Sequence, residues 1–152
     1  MHSLSQNTKT MRITFDGSSA YSVGAGTSAK TSEVVDTAGW RGIRFILAVG
    51  TLSSSNTTDF HIHGGATTSP TTDITGAAAT QLTNAGTDSS KLAIIELIDS
   101  PYRYMKAVTT PAAGNGVLEA LIVELFNPNG TVPDQTAATT TMVDSTTIVE
   151  NV

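Results

Sequence analysis

His61-Ile62-His63 is the constellation in this chain whose residue types and spacing come closest to chemistry. On a β-strand, side chains two residues apart point to one face about 7 Å from each other, so the two imidazoles would stand together beside Gly64-Gly65. Neutral imidazole is a common ligand for zinc and its neighbours. One strand offers two ligands where a zinc site takes four, and three chains around an axis would supply six, a nitrogen-only set that is uncommon. No metal or other cofactor is therefore expected. His61 and His63 are the candidates should a metal be held, and otherwise read as solvent-facing or interface histidines.

The remaining constellations point away from catalysis. Gly24-Ala25-Gly26-Thr27-Ser28-Ala29-Lys30-Thr31 approaches the phosphate-cradling G-x-x-x-x-G-K-[ST] loop but has Ala29 where glycine is required. The residues after it, Ser32-Glu33-Val34-Val35, read as a strand and not as the helix whose N-terminus would face a phosphate. Glu96 with Asp99, and Glu119 with Glu124, are paired carboxylates without a pocket signature. The odd spacing of the second pair puts its members on opposite strand faces. Solvation, or ion pairing with Arg103 and Lys106, is the expectation for these acids, in preference to general acid–base work. No G-x-S-x-G elbow exposes a serine, and cysteine is absent. The chain is not expected to be an enzyme.

Composition narrows the partners. Charged residues make up 14% of 152, well below the roughly 25% of an average soluble protein, while about one residue in six is threonine. Such a surface is polar but little charged, which suits a protein packed among others. The net charge of -5 argues against nucleic acid, because phosphate neutralisation needs Lys and Arg. Every Lys and Arg lies at or before Lys106, leaving an acidic C-terminal segment that should favour a basic surface. The first ten residues lack the apolar run of a signal peptide, and no stretch is long enough to span a bilayer, so no membrane partner is expected.

The elements that must position these residues read as strands. Met11, Ile13 and Phe15 alternate with polar neighbours, as do Phe60 and Ile62 with the two histidines. A short strand is expected through Tyr21 and Val23, and another over Ser32–Val35. Gly42–Val49 reads as the strongest core strand, Lys91–Ile98 as a buried run, and Gly64–Gly86 as a long loop with one short strand near Ile74. Tyr102–Thr109 and Val117–Phe126 flank a Pro-Ala-Ala-Gly-Asn-Gly turn, a hairpin signal. Helical spacing in Leu118–Leu125 competes with alternation of Val117, Leu121, Val123 and Leu125, and the turn favours the strand. Asn56-Thr57-Thr58 and Asn129-Gly130-Thr131 match the glycosylation triplet but read as polar loops.

Short strands at turn-punctuated spacing, with no convincing amphipathic helix, indicate an all-β chain, an antiparallel β-sandwich or jelly roll with extended N- and C-terminal arms. The expected division is an N-terminal arm over residues 1–10, a β-sandwich body over 11–127 and an extended C-terminal arm over 128–152. Trp40, at the turn before the strongest strand, either anchors the core or forms an interface hot spot. Tyr102 and Tyr104 alternate around Arg103, and an exposed tyrosine could stack on that guanidinium. In the arm, Val132, Val143, Ile148 and Val149 are the apolar anchors that could enter a partner's pockets. The partner-binding residues expected from sequence are these four and Trp40.

Three segments together resemble small virion structural proteins of tailed bacteriophages. They are Asp36-Thr37-Ala38-Gly39-Trp40 leading into the Ile43–Phe45 strand, Arg103-Tyr104-Met105-Lys106, and Gly116-Val117-Leu118-Glu119, followed by the Val132-Pro133-Asp134-Gln135-Thr136 tail. The resemblance implies a head decoration (cement) protein, bound outside the shell of the major capsid protein as a homotrimer. It also implies residence on the outer capsid surface of the virion after synthesis in the host cytoplasm. It brings no catalytic residues. A head-fibre or lectin-like module that binds host glycans, and a tail or neck component, are the alternatives.

Overall fold

A computed structural model describes residues 7–15, 21–23, 29–83, 88–112 and 116–129. The described chain is eleven strands: β1 (Thr8–Ile13), β2 (Tyr21–Val23), β3 (Lys30–Thr31), β4 (Val35–Asp36), β5 (Trp40–Leu52), β6 (Thr57–Gly65), β7 (Thr72–Ala78), β8 (Leu82–Thr83), β9 (Leu92–Ile98), β10 (Tyr104–Ala112) and β11 (Gly116–Pro128). They form two antiparallel sheets packed face to face. The first runs β1-β11-β5-β9 with β2 also on β11; the second runs β3-β10-β6-β7, with β4 on β10 and β8 on β6. The expected sandwich is the architecture found.

Alternation explains the core. Met11 and Ile13 of β1, Ile43, Phe45 and Leu47 of β5, and Leu121, Val123 and Leu125 of β11 face inward and are buried. Opposite them stand Phe60 and Ile62 of β6 and Met105 and Ala107 of β10. Each of the larger side chains contributes on the order of 1.5–3 kcal/mol by leaving water. Trp40 sits in this cluster, which realises the core alternative for that residue.

Several expectations are corrected. The 64–83 stretch is not a long loop: the short strand expected near Ile74 is β7, and both β7 and β8 pair with β6. The strand expected over Ser32–Val35 is not continuous: β3 ends before it at Thr31 and β4 begins only at Val35, both docked on β10, with residues 32–34 between them. Thr57 and Thr58 belong to β6, and Asn56, which does lie in the loop before it, is buried. Its side chain accepts the Thr58 hydroxyl at 2.9 Å, and its N–H donates to the Ser53 carbonyl at 2.9 Å. Lys30 and Thr31 of the phosphate-loop look-alike lie on β3, not at a helix N-terminus; residues 24–28 lie outside the described set.

In β11 the alternation is broken by bulges. The β5 pairing shifts between Gly116 and Leu118 and again between Leu118 and Ala120. Leu118 is therefore buried and Val117 exposed, the reverse of the simple alternation. The same shift brings Glu119 and Glu124 out on the solvent side together, so their odd spacing does not separate them.

Candidate functional site

The outward face of the first sheet is built of aligned rows. Ile94 of β9, Ile46 of β5, Ile122 of β11 and Arg12 of β1 stand opposite one another; the next row is Glu96, Arg44, Glu124 and Thr10, and the next is Ile98, Gly42, Phe126 and Thr8. Leu92, Ala48 and Ala120 form a row on the other side. β9 was expected to be a buried run. It is instead an edge strand whose Ala93 and Ile95 enter the core while Leu92, Ile94 and Ile98 remain 62%, 53% and 56% exposed. Large aliphatic residues that exposed on one side of one edge strand are unusual, because edges are normally blunted with charge or proline.

The charges of the row crossing this face are paired internally, two carboxylates on one guanidinium. Arg44 donates to Glu96 from Nε at 2.8 Å and from Nη2 at 2.5 Å, and to Glu124 from Nη1 at 3.1 Å. Its guanidinium also lies 5.8 Å from the centre of the Phe126 ring. The hydrogen bonds it donates to Glu96, ahead of the nearby charges, raise the Arg44 pKa. Such an arrangement suits contact with another flat protein surface: the charges are already partnered, and the rows beside them are apolar from β9 across β11, with Arg12 and Thr8 only at the β1 end.

Asp99 and Asp36 are also paired, and Arg103 serves Asp36, not the acids expected for it. Asp99 takes two hydrogen bonds from Arg41, at 2.8 and 2.7 Å, and Asp36 takes two from Arg103, at 2.8 and 2.7 Å. Arg103 stacks over Tyr104, its guanidinium carbon 5.0 Å from the ring centre, while Tyr102 packs against the core. Beside Trp40, Arg41 and Asp99 lies a cleft of about 210 Å³. That is below the roughly 300–1,000 Å³ of small-molecule sites.

On the far side of the sandwich, His61 and His63 do share the outward face of β6, as their spacing requires. Strand β7 adds a residue the sequence reading missed. Asp73 stands opposite His63, and the β6–β7 pairing then jumps so that His61 faces Ala78. The extra residues of β7 bulge outward through Gly76, which has φ +83°. Asp73 thereby reaches both rings: its Oδ1 is 2.8 Å from His63 Nε2 and 3.5 Å from His61 Nε2. The rings are 5.1 Å apart, tilted by 50°. Burial, ahead of all other causes, holds the His63 pKa below its ordinary value; Asp73 opposes this, while His61 and Lys106 reinforce it. The β-branched run Thr71-Thr72-Asp73-Ile74-Thr75 was the available signal for the strand that carries Asp73.

Of the partner-binding residues expected from sequence, Trp40 is buried at 9% exposure, and Val132, Val143, Ile148 and Val149 lie outside the described residues. The outward side chains of β9 were missed because exposed and buried aliphatic residues look alike in a run such as Leu92-Ala93-Ile94-Ile95. Compared with known proteins, the chain matches no protein-family model and no curated protein sequence.

Proposed function

We propose that this chain is a structural subunit of a virion: a head decoration protein of a tailed bacteriophage that forms a homotrimer and binds the outer surface of the major capsid protein. The observation that carries the assembly role is the exposure of Leu92, Ile94 and Ile98 along the edge strand β9. Complete burial of an aliphatic side chain contributes roughly 1.5–3 kcal/mol, and these three, already about half covered, would each add about half of that before the cost of association. The open edge of β9 adds backbone donors and acceptors that a neighbouring subunit can pair. Low charge and abundant threonine fit a surface that meets other subunits at several places. The phage head is supported by the resemblance of the Asp36–Trp40 turn, the Arg103–Lys106 strand and the Gly116–Glu119 hairpin exit to small virion proteins.

In this reading β9 is the contact between copies, and the C-terminal segment, with Val132, Val143, Ile148 and Val149, reaches the shell beneath. Two weak attachments on one molecule give tight occupancy by effective concentration. No catalytic step is assigned. The test is to assemble heads with the parent chain and with Ile94→Glu/Ile98→Glu and to measure occupancy by imaging. Occupancy lost in the variant, with its fold intact, supports the reading; equal occupancy removes β9 from it.

A further inference from the structure

We propose that His61, His63 and Asp73 bind one divalent transition-metal ion per chain, of the borderline-soft kind that zinc, cobalt and nickel represent. One ligand atom from each of the three residues lies within 4.8 Å of the others. In a tetrahedral site with bonds of about 2.0–2.1 Å, ligand atoms stand about 3.3 Å apart. The Asp73 oxygen is 2.8 Å from one imidazole nitrogen and 3.5 Å from the other. An ion therefore fits with small side-chain movements and no change of backbone. Two nitrogens and one carboxylate oxygen match these metals in ligand type, and the remaining position is open to water.

The supports are firm where they need to be. β6 is an interior strand, held by β10 on one side and β7 and β8 on the other. The histidines are partly buried, at 26% and 20% side-chain exposure, whereas Asp73 is 76% exposed. The site thus opens toward solvent on the carboxylate side, which gives the ion a way in.

Two features limit affinity and make the proposal specific. Lys106 stands directly opposite His63 on β10, and its charge opposes a cation. At His63, coordination through Nε2 moves the imidazole proton to Nδ1, which is buried and has no hydrogen-bond partner. The usual second ligand-orienting acceptor is therefore missing, and binding should be weaker than at a structural zinc site. Lys106→Met should tighten it.

The experiment uses the full chain with His2→Ala, which removes the third histidine, after dialysis against chelator. Co2+ is titrated and followed by visible absorption, with Zn2+ as competitor. The expected result is one ion per chain. Asp73→Ala and His61→Ala/His63→Ala should each weaken binding more than about tenfold, by comparison with the 10–100-fold effect of outer-shell partners, and Lys106→Met should strengthen it several-fold. Ion-free variants should keep the parent's circular dichroism. NMR of the unmutated His61 and His63 rings gives a readout independent of variant folding: Zn2+ should shift both. Binding no tighter than in the double-alanine variant, rings that do not shift, unchanged affinity in Asp73→Ala, or one ion per three chains would each overturn the proposal.

Discussion

The ring of Tyr102 lies against Gly64 so closely that a β-carbon there would stand 2.5 Å from Tyr102 Cδ2 and 2.6 Å from Cγ. Cγ sits at the root of the ring, so rotating the far end cannot relieve the clash. Ile74 Cδ1, at 2.9 Å, closes the other side. Gly64→Ala should therefore displace Tyr102 and the segment entering β10, lowering stability by about 1–3 kcal/mol. Thermal or urea unfolding checks this, and Tyr102→Ala in the same background should recover part of the loss.

Thr109 makes the opposite prediction. Its side chain is fully buried on β10 and its hydroxyl has no hydrogen-bond partner. A hydroxyl in that position carries a desolvation cost of about 1–3 kcal/mol. Thr109→Val keeps the shape and removes the cost, so it should raise the unfolding midpoint.

Acid should weaken the fold through Asp36. The hydrogen bonds from Arg103 hold its carboxyl below the ordinary value of 3.8, and those from Arg41 do the same for Asp99. The folded chain then binds these protons less readily than the unfolded chain. Their contribution is intact above about pH 4, the ordinary carboxylate range, and is lost as pH falls through the lower folded-state values. Both pairs are exposed, so the effect is modest. Melting temperature measured from pH 5 to pH 2 should fall less steeply in Arg103→Met than in the parent.

Much of this architecture could be read from alternation. Met11-Arg12-Ile13 and Phe60-His61-Ile62-His63 follow a clean period of two, and their faces came out as the pattern requires. Where the pattern failed, a physical cause is visible. Bulges in β11 exchange Val117 and Leu118, and no sequence period records an inserted residue. β7 has Thr, Ala and Gly in place of large apolar residues, so it looks like a loop until β6 supplies its pairing. The metal-ligand cluster was two-thirds legible for that reason: spacing gives His61 and His63, but only the register of β7 brings Asp73 to them. On β9 the difficulty was reversed. Its apolar run was plain, but which of its side chains meet solvent depends on its being the last strand of the sheet.

Replacing Ile94 and Ile98 with glutamate should leave the isolated fold nearly unchanged, because both side chains are more than half exposed. Surface changes of this kind stay within about 0.5 kcal/mol. Unfolding midpoints should coincide at dilutions where the parent is also a single chain, and the parent should gain stability as concentration rises and copies associate.

The most direct test is the solution mass of the full chain across a dilution series, measured by light scattering beside that Ile94→Glu/Ile98→Glu variant. A homotrimer held through β9 predicts a parent mass three times the 15.7 kDa of one chain, falling to a single chain in the variant while its circular dichroism keeps the parent's form. A parent that stays at the mass of one chain throughout, or a variant that associates as strongly as the parent, would contradict the account.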